Sequence, residues 1–276
     1  MLFQYNQRFA IKRIRPQHIS SVMFNELVVM NLIQNPRPEA AIRYHAVWRD
    51  PEGTVVLMDE HNGTLRRWIK PHHILSDPDW LPIMLGIATR LTAAHAAGFV
   101  HMDLKPSNSF ISLMQSLLIT LVLVNRTTEF HFIPENIHIS DFGIPYCCRL
   151  PVGNRSVDVP GTFPYLAPEI RENGVGSSKE SDIWAIGCIG YELCIGKKLA
   201  DNNGALEDYI RDAKRNPDAI KILLADIPPR FGQPVHDIIR ECLRWDPGKR
   251  CSADDIRKYL LHHYRRPSEN VAGSPH

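Results

Sequence analysis

The sequence predicts an α+β fold of two unequal lobes, a small N-terminal sheet with one helix and a larger, mainly helical C-terminal part. Two observations carry this. Up to about residue 60, short runs alternate apolar and polar side chains between turn residues, which is the period of half-buried strands. Beyond Asn62-Gly63 the apolar positions recur at three- and four-residue spacing, the period of helices. With 276 residues, 44% hydrophobic and 22% charged, the chain can bury one large core or two smaller ones.

In the first run, RFAIKRI, Phe9 and Ile11 face one way and Ala10, Lys12 and Ile14 the other, as in a short strand. After Pro16, the segment Ser20 to Ile33 sets Val22, Glu26, Val29, Met30 and Ile33 at helical intervals. Ser20 or Ser21 can serve as its N-cap, and Asn35-Pro36 stops it. The runs AIRYHAVW and TVVLM flank the turn residues Asp50-Pro51-Glu52-Gly53, so a hairpin is expected there. Farther on, Trp80 to Ala97 and Glu180 to Ile195 read as helices closed by Gly98 and Gly196. The polar, Pro- and Gly-containing end from Arg266 reads as a flexible tail. The expected division is residues 1–60, 61–265 and 266–276, with the lobes joined near Met58 to Gly63.

Charge points to no nucleic acid and no membrane surface, because the formal net charge is only +2 and the basic residues are spread along the chain. Six cysteines show no C-x-x-C spacing, which argues against a sulfur-bound metal. No signal-peptide pattern opens the sequence, so an intracellular, cytoplasmic or nuclear, reducing address is the default. Three glycosylation-type triplets, at Asn62, Asn125 and Asn154, then read as accidental. The apolar run Phe110 to Val124 is shorter than the roughly 18 residues of a membrane span and contains Ser, Gln and Thr. It reads instead as a buried strand or helix, or a loosely ordered insert.

Chemistry concentrates at His101-Met102-Asp103-Leu104-Lys105-Pro106-Ser107-Asn108. In-line phosphoryl transfer needs a carboxylate for the attacking hydroxyl, a cation against developing charge and an oxygen ligand for magnesium. Asp103, Lys105 and Asn108 are of those types. Downstream, Ile137-His138-Ile139-Ser140 alternates like a strand and runs into Asp141-Phe142-Gly143, where Asp141 offers another hard oxygen ligand. Taken singly these signals are weak. A strand lysine such as Lys12 or a helix glutamate such as Glu26 is usually just solvated, and His101 or His138 just packed or exposed. Their order along the chain carries the weight.

In that order the motifs resemble a eukaryotic-type Ser/Thr protein kinase domain, over almost the whole chain. The resemblance implies a two-lobed protein-kinase-like fold and transfer of the terminal phosphate of ATP to Ser or Thr hydroxyls of protein substrates, with Mg2+. It makes Asp103 the base, Lys105 the charge-neutralising cation, and Asn108 and Asp141 the metal ligands. It sets Ala10, Lys12, Glu26, Met58, Asp59 and His61 around the nucleotide. Lys12 would grip phosphates while paired with Glu26, Met58 would be the gatekeeper, and the backbone of Asp59 and His61 would meet adenine. Lys105 followed by Pro106 is the Ser/Thr-specific rather than the Tyr-specific form of the loop. His101, Phe142 and Met30 would stack to align the lobes.

Further on, Gly161 to Glu169 resembles the end of an activation segment that begins at Asp141. Thr162 would contact Asp103 and Lys105, and Ser156, after Arg155, is the candidate phosphosite. The run Asp182-Ile183-Trp184-Ala185-Ile186-Gly187 resembles the helix that supports the catalytic loop. Arg250 is the expected buried partner of Glu169. A small-molecule kinase would generally lack these last features.

Three departures qualify the resemblance. Eleven residues precede Lys12 and no G-x-G-x-x-G occurs, so the chain reads as N-terminally truncated, without the Gly-rich loop that covers phosphates with backbone N–H groups. Weaker ATP binding is expected, and a pseudokinase acting as a binding or scaffolding module is the rival reading. Met102 stands where most members carry an Arg that pairs with a phosphorylated activation segment, so that switch is not expected. Asp103 and Asp141 lie 38 positions apart, beyond the family's usual gap, which implies an insertion at about 109–134. Looped out, it spares the metal site; packed in, it breaks it.

Overall fold

The computed structural model describes residues 8–14, 41–69, 77–112, 132–142, 146–147, 161–173, 178–201, 204–213, 216 and 218–264. The expected helix from Ser20 to Ile33, with Glu26 and Met30, lies outside these residues, as do Gly143, Ser156 and the tail.

Strands β1 (Phe9–Ile14), β2 (Tyr44–Asp50) and β3 (Gly53–Asp59) form an antiparallel sheet in the order β1-β3-β2. Asp50 pairs with Gly53, so Pro51 and Glu52 make the tight turn that the sequence signals. Along β1, Phe9, Ile11 and Arg13 are exposed while Ala10, Lys12 and Ile14 are half-buried, as the alternation requires. Ala10 and Ile14 pack on a small cluster of Ile42, Val56 and Met58. The sheet meets the rest of the chain where Ile42 N–H donates to the carbonyl of Ile139 at 3.0 Å, where Phe110 packs on this cluster, and where Tyr44 touches both this cluster and the main core.

The larger part is built on two long helices. After β4 (Gly63–Thr64) and the short α1 (Leu65–Trp68) comes α2 (Asp77–Ala96), which buries Trp80, Ile83, Met84, Ile87 and Leu91. Helix α3 (Pro168–Asn173) precedes α4 (Lys179–Ile195), whose residues from Ser181 to Cys194 are all buried. A helix that is apolar all round belongs in a core, and α4 is the centre of this one. Ser178 caps its N-terminus through a capping box with Ser181, and Gly196 closes it in the left-handed conformation at φ 76°. Helices α5 (Ala205–Asp212), α6 (Ala219–Leu223), α7 (Gly232–Cys242) and α8 (Ala253–His263) complete the lobe. No helix among the described residues is long and apolar enough to cross a membrane.

Two small strand pairings position the chemistry. Strand β5 (Phe99–Val100) pairs with β8 (Tyr146–Cys147), while β6 (Ser109–Ile111) and β7 (Ile137–Ile139) form a hairpin that β4 extends. The hairpin keeps register from Ser109↔Ile139 to Ile111↔Ile137, and Ser112 N–H then donates to the Asn136 carbonyl at 2.8 Å. Of the expected insertion at about 109–134, residues 109–111 are strand β6 in this ladder, and Pro134 opens the short turn Pro134–Asn136 that leads into β7. Phe110 and Ile111, the start of the long apolar run, are strand residues, and the rest of that run from 113 on lies outside the described residues.

Candidate active site

The loop after β5 is held from beneath by α4. Asp182, 1% exposed in the first turn of that helix, accepts from the backbone N–H of His101 (2.7 Å) and of Met102 (2.9 Å), and also contacts His95 Nε2 (2.9 Å). Two charge-assisted bonds offset the strain at Met102, whose φ of 69° is uncommon for a side-chain-bearing residue. The same carboxylate thus fixes the entry to the loop that carries Asp103.

Within the loop, Lys105 Nζ donates to Asp103 Oδ2 and to Thr162 Oγ1, each at 2.6 Å, and Thr162 Oγ1 donates to Asp103 Oδ1 at 2.6 Å. Asn108 Nδ2 donates to the Asp103 carbonyl at 2.9 Å and to its Oδ2 at 3.2 Å. The carboxylate of Asp103 is therefore aimed by three neighbours, and the oxygen of the Asn108 amide is left for another partner. Thr162 reaches this cluster because Gly161 precedes it. At φ 115° and with Met102 O only 2.9 Å from where a Cβ would stand, that position requires glycine.

A second cluster forms where the hairpin ends. Ser140 N–H donates to the Asn108 carbonyl at 2.9 Å, which ties the start of the Asp141-Phe142 segment to the catalytic-type loop. Asp141, at φ 56°, presents Oδ1 to Lys12 Nζ of β1 at 2.5 Å. His101 lies between the clusters. Its Nε2 donates to the Ser140 carbonyl (3.0 Å), its Nδ1 accepts from Asp103 N–H (3.4 Å), and its ring packs on Phe142 with centroids 4.5 Å apart. Burial lowers its pKa, in keeping with a neutral ring that donates on one side and accepts on the other.

The expected nucleotide residues are distributed as follows. Met58 is buried beside Ala10, on the face of the sheet that also carries Lys12. Asp59 N–H is committed to the Arg43 carbonyl at 3.1 Å. His61 Nδ1 lies 2.6 Å from Ser112 Oγ, and its ring sits 4.8 Å from that of His138. Its Nε2 is buried without a partner. Glu26, the expected mate of Lys12, and Met30, the expected third member of the stack, are among the residues not described.

The distal expectation holds as well. Arg250 grips Glu169 with two parallel bonds of 2.7 and 2.8 Å, and spends its other donors on the carbonyls of Glu180, Arg244 and Trp245. Sequence reasoning missed a parallel device. Arg66 of α1 pairs with Glu192 of α4 at 2.5 Å and donates to the hydroxyl of Tyr165, which itself donates to Glu192 at 2.7 Å. Burial, reinforced by Glu192, pushes the Tyr165 phenol up, so the hydroxyl stays a donor. Nothing in the spacing of these three residues announces them.

A carboxylate oriented by a lysine, a hydroxyl and an amide, with a lysine–aspartate pair bonded to the same backbone, is the equipment of a phosphotransferase. The chain belongs to the protein kinase family, and the protein kinase domain model matches residues 2–264. It is 25% identical over 251 residues to the serine/threonine-protein kinase PLK2 of Mus musculus, covering 90% of this chain and 32% of that protein. It is 29% identical over 207 residues to the serine/threonine-protein kinase PkaA of Streptomyces coelicolor, covering 74% and 33%. Against the serine/threonine-protein kinase PknA of Mycobacterium tuberculosis the figures are 31% over 160 residues, covering 58% and 31%. The chain thus spans about a third of the length of each of these three relatives.

Proposed function

We propose that the chain transfers the terminal phosphate of ATP to Ser or Thr hydroxyls of protein substrates. The observation that carries this is the arrangement of Lys105, Thr162 and Asn108 around one carboxylate, Asp103. In that reading Asp103 orients the acceptor hydroxyl and takes its proton. Lys105, 2.6 Å from Asp103, holds positive charge where the transferred group would gather negative charge. Thr162 braces both.

The donor set also fits magnesium, a hard cation usually held by one or two carboxylates together with phosphate oxygens and water. Asp141 and the Asn108 amide oxygen would hold it, and bound there it would neutralise phosphate charge. Lys12 would then turn from Asp141 to the nucleotide phosphates, with Ala10, Met58 and the Asp59 carbonyl lining the base. Glu26 is the proposed partner of Lys12, and the Asp103 to Asn108 loop with Pro106 supports Ser/Thr rather than Tyr acceptors. The scaffold-only reading is not favoured, since the matched relatives carry kinase names.

The test is phosphate transfer to a generic basic protein with ATP and Mg2+. Asp103→Ala should lose roughly 10²–10⁴-fold in rate, the usual worth of a general base, while melting like the parent. Equal rates for variant and parent would sink the assignment. A melting temperature unmoved by millimolar ATP and Mg2+ would instead support the scaffold.

A further inference from the structure

Between α6 and α7 lies an open groove of about 530 Å³, and none of its lining residues belongs to the phosphotransfer site. Ile220 and Leu224, four residues apart on and just past α6, supply its apolar lining together with Ile227. On α7, Gln233, His236 and Arg240 recur at three and four residues, so they share the face that lines it. Lys221 of α6 lines it as well, and no acidic side chain among the described residues does. Acids nearby pair with the two cations. Asp218 lies 2.6 Å from Lys221, and Asp237 and Glu241 lie 2.8 and 3.3 Å from Arg240. Such solvent-facing pairs are weak and give way to a partner that brings its own carboxylates. Ile222 of α6, 71% exposed, is the most exposed large apolar side chain among the described residues.

We propose that this groove docks an acidic peptide segment of a protein partner, which seats a large apolar side chain on Leu224 and Ile227 and sets carboxylates against Lys221, His236 and Arg240. The volume is that of a ligand-sized cleft, enough for one or two large side chains. Charge complementarity selects the sign, because Lys221 and Arg240 are cationic, the His236 imidazole can donate a hydrogen bond, and no carboxylate lines the groove. Spacing selects the kind of molecule. From Gln233 to Arg240 the helix rises about 10 Å, and Lys221 comes from the other helix, so a single carboxylate cannot meet all the donors. An extended peptide, advancing about 3.3 Å per residue, can set several acids along that span. A fatty acid offers the apolar part with only one anion. A nucleic acid offers the anions with no apolar side chain for Leu224 and Ile227.

The full chain is titrated, by fluorescence anisotropy, against the fluorescein-labelled peptide DELFDE, with KRLFKR and DESSDE as controls. DELFDE should bind roughly tenfold more tightly than either control, and high salt should weaken it, because its charged contacts are solvent-facing. Lys221→Glu sets like charges against each other and should weaken binding by roughly tenfold. Ala225→Trp fills the groove at an exposed lining position without changing charge, and should weaken it similarly. Lys249→Glu, the same charge reversal at a side chain 71% exposed outside the groove, should bind like the parent. All three positions are exposed, so the variants should melt like the parent. Equal affinity for the three peptides, or DELFDE binding untouched by both groove variants, would overturn the proposal. So would laurate occupying a groove that DELFDE does not, or a dimer of the parent that Ala225→Trp splits. None of these readouts depends on phosphate transfer, so they stand apart from the kinase assignment.

Discussion

His138 shows how one side chain ties the hairpin to His61 and makes stability depend on pH. It lies on β7 across from Phe110, with its ring 4.8 Å from that of His61. Burial, and then the neighbouring His61 and Arg90, push its pKa down to about 3, with Asp59 opposing. Burial lowers His61 as well. In the unfolded chain a histidine takes up its proton near pH 6.5. Between that value and about 3 the unfolded state therefore binds a proton at His138 that the folded state refuses, and stability falls as pH falls. The slope is up to about 1.4 kcal/mol per pH unit for one such group. The melting temperature should be flat above pH 7 and drop from pH 6.5 to 5, and His138→Gln should flatten part of that drop. Parallel melting curves for the two proteins across this range would remove His138 as the cause.

Hairpin β6–β7 is where the elements meet, and α2 is what holds it. Arg90 donates to the carbonyls of Ile137 and Glu135, both at 3.0 Å, and Gly86 lets the helix come close. A Cβ at Gly86 would stand 2.6 Å from Ile137 Cβ and 2.7 Å from the Pro134 carbonyl oxygen, so helix or hairpin would have to move. Gly86→Ala should cost about 1–3 kcal/mol, the range for overpacking, and slow phosphate transfer because Asp141 lies just two residues beyond the end of β7. Thermal melts and turnover measured well below the melting temperature check both effects, and an unchanged melt would mean the approach relaxes freely. The strands β1 to β3, both glycine-closed helices and the order of the site motifs were legible because each rests on local period or on neighbouring residues. Gly86, the Asp182–His95 contact and the Arg66–Glu192–Tyr165 set were not. Their partners lie far away in sequence, on different elements, and no spacing records such a meeting.

Across the whole molecule, the proposed phosphotransfer groups come from β1, the loop after β5, the end of β7 and the segment before α3, with the buried Asp182 carboxylate of α4 and the Arg250–Glu169 ion pair before α8 bracing them. The extra chain between Asn108 and Asp141 departs from the family's usual spacing within this assembly. The described ends of that stretch are held by the ladder, whose register runs on to Ser112 and Asn136, and Phe132 packs in the core edge-on to Trp68 with centroids 5.7 Å apart. Asn108 and Ser140 are bonded backbone to backbone, and that bond continues the β6–β7 ladder. Replacing residues 114–130 with a short Gly/Asn/Ser linker should therefore leave phosphate transfer intact. It should also stabilise slightly, since each halving of a closed loop lowers the entropic cost by only about 0.6 kcal/mol. The expected melt is equal to the parent's or a few degrees higher, with turnover within about twofold. A variant that melts well below the parent, or binds ATP and Mg2+ yet transfers no phosphate, would make the segment part of the site rather than an excursion from it.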